Sequence, residues 1–395
     1  MSLKPKIKME TFTGNHHAIG VQQGEAIRGT VRRMMQSIAE LDAFKRMKTV
    51  LIPTGLFLYL AKRRAAELLK EDIFQTYPKQ AERMRGISEG CGMGLPTLMF
   101  LQSMEMMIGK ITKAQYRLDA CTCIAFEPER TVTREPIVAK NFDYLNELSP
   151  FHLSCRAMPS GRFGTMGCTM APLPGMLDGM NEHGLTLTYN LGSTTDEPEV
   201  NAPLSMALQE MLETCKTTGE AVEFITKAKQ GGHDALLTIA DAEGDIRSVE
   251  LTPRRSSVRR PSRGLIINTN HYHTEELRRY EIPRNAIWDG DVPEVQVGKR
   301  IFESTELRLM RAEELLEDVE RIDEMRIKRI LRDHGADREP SQTTICVHGE
   351  ISSSLRSMIF YPRQQKMKLL YGQPCQNEYE EFLFMKAAHE KVSLG

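Results

Sequence analysis

Cys121 stands where a polar, helix-like stretch gives way to an apolar run, in Leu118-Asp119-Ala120-Cys121-Thr122-Cys123-Ile124-Ala125-Phe126. A thiol near its free pKa of roughly 8.5 is mostly protonated at neutral pH, so it needs a general base within hydrogen-bond reach. Two kinds of base are open. Among the ten histidines, His271 and His273 lie beside Asn270. They leave a Cys–His–Asn arrangement open, although nothing around Cys121 matches the papain-type signature. The other base is the cysteine's own α-amine, which titrates near ~8 and sits on the same residue as the thiol. That amine is free only if the Ala120–Cys121 bond is cut. Attack of the thiol on the preceding carbonyl, then hydrolysis of the thioester, would cut it. On this reading Cys121 is both a new N-terminus and the nucleophile.

Other features exclude alternatives. The eight cysteines form no CxxC pair, and Cys121 and Cys123, two apart, point to one side of a strand rather than making a zinc knuckle. Buried free thiols in a reducing compartment are expected, and no bound metal or cofactor is required. Fifty-two basic against fifty-three acidic residues give a net charge of −1, which argues against polyanion binding, so no nucleic-acid partner is expected. Arg254, Arg255, Arg259, Arg260 and Arg263 cluster without an aromatic residue for stacking and read as a solvated hairpin able to meet an acidic substrate group. No apolar run approaches the ~18 residues of a membrane span, and no secretory h-region opens the chain, so a cytoplasmic protein is expected. There is no phosphate-binding Gly-rich loop, HExxH or GxSxG.

The elements that must position Cys121 fall into two regimes. Before it, apolar spacings of three and four predict helices over Val21–Met47, Leu56–Leu69, Tyr77–Ser88 and Pro96–Met107, with glycines near 90–94 as a stop. After it, short strands are expected at Thr122–Phe126, Pro136–Ala139, His152–Arg156, Arg162–Cys168, Leu185–Tyr189, Ala235–Ala240, Ile246–Leu251 and Gly264–Asn268. Three more are expected at Thr343–Val347, Ser357–Tyr361 and Lys366–Tyr371. Helices over Pro203–Thr217, Glu220–Lys229, Glu303–Glu317 and Arg321–Arg332 interrupt them, and Ile282–Ile301 reads as an irregular, substrate-covering loop. Helices followed by antiparallel-looking strands with helix pairs point to α+β layers.

With these residues in place, Asp119-Ala120-Cys121-Thr122 resembles the processing site of N-terminal nucleophile hydrolases of the acyl-coenzyme A:6-aminopenicillanic acid acyltransferase type, relatives of choloylglycine hydrolases and penicillin V acylases. The resemblance extends over most of the chain. It runs through Ala18-Ile19-Gly20, Gly24-Glu25-Ala26-Ile27-Arg28, Gly86-Ile87-Ser88-Glu89-Gly90, Ala139-Lys140-Asn141-Phe142-Asp143-Tyr144, Gly179-Met180-Asn181-Glu182-His183-Gly184-Leu185, Thr269-Asn270-His271-Tyr272 and Ser304-Thr305-Glu306-Leu307-Arg308. Each motif is weak alone; their order and spacing carry the signal. Ala120 stands where the penicillin enzyme has glycine, and Lys140 stands near an arginine of the bile-salt hydrolases.

The resemblance implies a four-layer αββα sandwich, with a mainly helical prosegment over residues 1–120 and a catalytic core over 121–395 forming one unit. It implies Cys121 as nucleophile, Asp143 as the carboxylate that binds the freed α-amine, and Asn270 as an oxyanion donor with Asn190 as a second. Arg308 is implied as a cation beside the thiolate. The implied activity is hydrolysis or transfer of the acyl group of a linear amide or thioester, through a thioester on Cys121. A small-molecule acyl substrate is the expected partner, and homo-oligomerisation is left open. The alternatives are a His-assisted cysteine hydrolase without cleavage and a non-catalytic binding protein of the same fold.

Overall fold

Every residue of Thr122–Phe126 (β2) is buried, which a strand achieves only when both faces of its sheet are covered. In the computed structural model this is so. The structure describes residues 6–40, 53–103, 121–196, 201–228, 234–289, 292 and 294–384. Cys123 and Ala125 of β2 face one apolar layer, Ile124 and Phe126 another.

Two sheets result. The six-stranded sheet runs β11-β2-β3-β12-β13-β14, from Leu265–Asn268 (β11), β2, Ile137–Leu145 (β3), Ser352–Tyr361 (β12), Lys366–Tyr371 (β13) and Glu380–Leu383 (β14). The eight-stranded sheet runs β1-β4-β5-β6-β7-β8-β9-β10. Its strands are Glu10–Gly14 (β1), His152–Pro159 (β4), Thr165–Met170 (β5), Asp178–Asn181 (β6), Thr186–Leu191 (β7), Ala235–Ala240 (β8), Ile246–Leu251 (β9) and Ser256–Arg259 (β10). All pairings are antiparallel except β1 with β4.

Three apolar cores stack between four layers. One joins the eight-stranded sheet, through Leu187, Leu237 and Val249, to helices His16–Glu40 (α1), Thr54–Thr76 (α2), Pro78–Cys91 (α3), Leu204–Thr214 (α4) and Thr218–Lys227 (α5). The second fills the space between the sheets with Val138, Met166, Met180 and Met358. The third packs Ile124, Ala139 and Ile359 against Glu303–Leu316 (α7) and Glu324–Leu331 (α8); the short Glu275–Arg278 helix (α6) lies before them. Each fully buried Leu or Ile side chain in these cores contributes about 1.5–3 kcal/mol. The expected αββα sandwich is the observed one.

The segment ahead of Cys121 is not purely helical, because β1 adds to the eight-stranded sheet as a parallel edge partner of β4. Polar ties reinforce that join: buried His16 meets Glu213 of α4 at 2.7 Å, and Arg83 of α3 donates to Gln23, whose amide donates to the Leu173 carbonyl. Helices α1 and α3 approach through glycine. A Cβ on Gly20 would lie 2.0 Å from the Arg83 carbonyl oxygen, and one on Gly86 would lie 2.1 Å from that of His17. Gly24 and Gly90 continue the contact, so Gly90 serves packing, and the helix stop belongs to Gly92 at φ 67°. Gly86→Ala must push two backbones apart. It is expected to lower stability by about 1–3 kcal/mol, read as a lower urea midpoint at unchanged slope.

Some expected boundaries move. β3 runs on past Ala139 to Leu145 because Lys140, Asn141 and Asp143 are buried and paired, which hydropathy alone does not register. Thr343–Val347 is irregular, not a strand. Its polar groups are met by other means: Cys346 N donates to Asp333 O, Val347 N to the Ser354 hydroxyl, and Asn141 Nδ2 to Ile345 O. Residues 95–103 are helical, while the rest of the expected Pro96–Met107 helix and Ala120 lie outside the described residues. No described helix is long and apolar enough to cross a membrane.

Candidate active site

Cys121 opens β2 at the centre of the stack, buried with its side chain in the layer between the sheets. Alternation decides what reaches it. On β3, Lys140 shares the inter-sheet side with Val138 and Phe142, whereas Asn141 and Asp143 share the other side with Ala139 and face α7 and α8. On β7, Leu187 faces the outer helices, so Thr188 and Asn190 point inward; Thr188 meets Cys123 at 3.1 Å.

The five residues singled out in the sequence meet here. The Cys121 thiol lies 3.7 Å from the Asp143 carbonyl oxygen. The Cys121 carbonyl accepts from Arg308 Nη1 at 2.7 Å and from Asn190 Nδ2 at 3.2 Å. Arg308 also donates to Thr122 Oγ1 at 3.0 Å and, through Nη2, to Asn270 Oδ1 at 3.0 Å. Asn270 Nδ2 donates to Leu191 O, and its backbone N–H to Thr305 Oγ1. Asn190 Nδ2 is committed further, to the carbonyls of Asn268 and Thr269. Among the described residues, two acceptors on this ring have no hydrogen-bond partner: Asp143 Oδ2 and Asn190 Oδ1. The other Asp143 oxygen accepts from Ser354 Oγ at 2.5 Å.

A narrow cleft of about 90 Å³ reaches Asn270 and Thr305, walled by Trp288, Gln296, Arg300 and Phe302 from the irregular segment before α7. The clustered arginines do not line it: Arg255 pairs with Asp196, and Arg259 donates to Asn268 Oδ1. Nor do the histidines serve the thiol. His271 bonds Thr305 at 2.9 Å and stacks on His273 at 5.0 Å, with no hydrogen bond from either to Cys121 among the described residues.

The sequence profile of the acyl-coenzyme A:6-aminopenicillanic acid acyl-transferase family matches residues 130–376, more than half the chain. The chain belongs to that family. That family is one of acyl-transferring enzymes, and the chain's own layers are the αββα sandwich described above. The matched stretch contains Asp143, Asn190, Asn270 and Arg308 and begins beyond Cys121. No curated protein matches the sequence. Among solved structures, the chain is similar to a Caenorhabditis elegans ortholog of N-acylethanolamine-hydrolyzing acid amidase, at 14% identity over 62% of this chain and 93% of that one, TM-score 0.40. A variant of conjugated bile acid hydrolase from Clostridium perfringens gives 14% identity over 67% and 98%, TM-score 0.39. Penicillin V acylase from Agrobacterium tumefaciens gives 13% over 64% and 83%, TM-score 0.35. The fold rests on the sheets and cores described above.

In this acyl-transferase family member a second cation, Lys140, also bears on the thiol. Burial pushes the Cys121 thiol up to about 11, and Lys140 is the group that pulls it back most. Arg308 holds the Cys121 carbonyl. Lys140 belongs to a fully buried triad: its Nζ lies 2.6 Å from Asp178 Oδ1, and Arg356 Nη2 lies 2.6 Å from Asp178 Oδ2. Burial alone would raise the Asp178 carboxyl, but Lys140 and Arg356 outweigh it and hold it below its ordinary value. Two cations against one carboxylate leave a surplus positive charge between the sheets, which a thiolate at Cys121 would balance. Sequence reading missed Asp178, Ser354, Thr305 and Arg356. A lone charged residue in a wholly buried strand, as Arg356 is in β12, was the available signal.

Burial likewise lifts the Asp143 carboxyl to about 7, against the downward pull of Arg308, the Ser354 hydroxyl and Lys140. The unfolded chain loses this proton near ~3.9, while the folded chain keeps it to about 7, so stability from this group is full at low pH and falls as pH rises through neutrality. In a Cys121→Ala chain, urea midpoints are expected to drop from about pH 5 to about pH 8, and Asp143→Asn added to that chain should flatten the drop. An unchanged slope would place the titration elsewhere. His271 and His273 are driven the other way by burial and neighbouring arginines, to about 3 and about 2, too low for bases at neutral pH.

Proposed function

We propose that this enzyme cuts its own chain before Cys121 and then hydrolyses or transfers the acyl group of a linear amide through a thioester on that residue. In the first step the thiol attacks the Ala120 carbonyl carbon, and the peptide nitrogen leaves with a proton as the Cys121 α-amine. Water hydrolyses the thioester and frees the Ala120 carboxylate. The amine then accepts the thiol proton, and the thiolate attacks the substrate carbonyl. Asn270 Nδ2, with one N–H committed to Leu191, turns the other to the oxyanion. The substrate amine leaves with the proton, and water or an acceptor amine takes the acyl group.

The observation that carries this reading is the pair of partnerless buried acceptors, Asp143 Oδ2 and Asn190 Oδ1, on residues that touch Cys121. Buried acceptors without donors are costly, and a freed ammonium on Cys121 would supply donors to both. Asn190 then acts mainly as a positioning residue, because its N–H groups already hold three carbonyls. A thiol held near 11 with no imidazole partner among the described residues favours the amine over the His-assisted alternative. The segment before Cys121 supplies β1 and the ties of α1 and α3, which would keep residues 1–120 docked after cleavage as one unit with 121–395.

Intact-mass spectrometry of active enzyme tests the cleavage. Of 395 residues, pieces of 120 and 275 (395 − 120) are expected, the larger beginning at Cys121. A single full-length species with full activity would rule out the N-terminal mechanism.

A further inference from the structure

Away from Cys121, four side chains of metal-binding type converge at the edge of the helix layer that carries α8. The potential ligand atoms of His334, Cys346, His348 and Cys375 all lie within 4.8 Å of one another. They come from three places in the chain: the loop after α8, the irregular segment before β12, and the turn between β13 and β14. His348 Nε2 is 3.4 Å from the Cys346 sulfur and 3.2 Å from that of Cys375. One imidazole nitrogen cannot satisfy both sulfurs as a hydrogen-bond partner. His334 Nε2, also buried, has no hydrogen-bond partner among the described residues. A single cation would answer all of these groups at once. With bonds of ~2.3 Å to sulfur and ~2.0–2.1 Å to nitrogen at tetrahedral angles, nitrogen and sulfur ligands of one ion lie ~3.5 Å apart, close to the two separations found.

We infer that His334, Cys346, His348 and Cys375 form a structural zinc site. Two sulfurs and two imidazoles in tetrahedral reach suit zinc over harder cations, and a full set of four protein ligands leaves no open position for catalysis. Binding releases the two thiol protons as the sulfurs become ligands. The backbone already holds the ligands: Cys346 N donates to Asp333 O, and His348 N to Ser341 O. Only Cys346 is fully buried, so the ion has a path from solvent. The clamp fastens a segment without regular structure. Between its two ligands, Val347 accepts from Ser354 N and donates to Ser354 Oγ, and that hydroxyl donates to Asp143. The metal therefore steadies the wall behind Asp143 rather than the reacting atoms.

Metal content of the full chain, purified reduced and without chelator or metal-affinity resin, tests this directly. About one zinc per chain is expected, replaceable by cobalt with the intense visible and sulfur-to-metal bands of a tetrahedral thiolate site. Cys346→Ser with Cys375→Ser should abolish both. Should that pair fail to fold, His334→Ala, at a half-exposed position, should keep the chain folded and shift the cobalt spectrum. Zinc at background with no cobalt–thiolate band would overturn the proposal. So would a mass lowered by two hydrogens from a Cys346–Cys375 disulfide in the native protein. Metal is read here rather than turnover, so this result stands apart from the Cys121 mechanism.

Discussion

Cys121→Ala is expected to leave one uncut chain and to lower amide turnover by on the order of 10⁴-fold or more, because on the proposed mechanism nucleophile and base are lost together. The uncut chain carries no α-amine at this position, so no other residue inherits the base role: His271 and His273 are held too low and make no hydrogen bond to Cys121. Cys121→Ser should separate the two functions. A hydroxyl is far less acidic than a thiol, so cleavage is expected to slow, yet any chain that does process gains the amine. Cys123→Ala is the matched control, since Cys123 shares the inter-sheet side but is engaged with Thr188. It should keep most activity. Progress curves on a panel of acyl amides, run beside intact masses, read all three variants. Wild-type turnover by the Cys121→Ala chain would refute a cysteine-centred mechanism.

Asp178→Ala is expected to destabilise the fold by about 3–5 kcal/mol, the largest stability effect foreseen here, because it strands two buried cations. Lys140 and Arg356 are wholly excluded from solvent, and Arg356 is also wedged over the Phe142 ring at 3.8 Å. Lys140 additionally donates to the Tyr189 carbonyl, and Tyr189 N donates back to Asp178 Oδ1 at 3.1 Å, so the loss spreads across both sheets. The exposed Arg63–Glu67 pair is a fitting comparison: at 67% and 50% exposure its removal should leave the urea midpoint essentially where it was. Urea unfolding at neutral pH distinguishes the cases, and an Asp178→Ala loss below about 1 kcal/mol would mean the triad is not holding the sheets together.

The strand headed by Cys121 is legible locally, because the mainly apolar run Thr122–Phe126 between a polar stretch and Pro128 leaves little choice of element. Most of the helices follow for the same reason: their period is local. The ordered motifs from Ala139 to Arg308 also pointed to one family and to the residues that meet around Cys121. The faces of the elements and the partners of buried charge were decided elsewhere. Lys140 and Asp143 lie three apart on one strand and so on opposite faces, one toward the second sheet and the other toward the helices. Only the assembled layers tell which is which.

The bulge between Ser354 and Arg356 makes the same point. It shifts the register of β12 on β3, so Ser354 meets Asp143 on one side while Leu355 and Arg356 both face the other sheet. Strict alternation, read from sequence, would have sent Ser354 and Ser357 to opposite faces, although both bond β3 residues on the same side. Arg308 was expected beside the thiolate, and the bonds it makes to the Cys121 carbonyl, Thr122 and Asn270 became visible only once α7 was set against β2. His334, Cys346, His348 and Cys375 carry no recognisable spacing, and three loops had to fold onto one point before they could be seen. Local pattern reports what one element prefers. Which charge can be buried, and beside what, depends on partners far away in the chain, and those only the tertiary structure supplies.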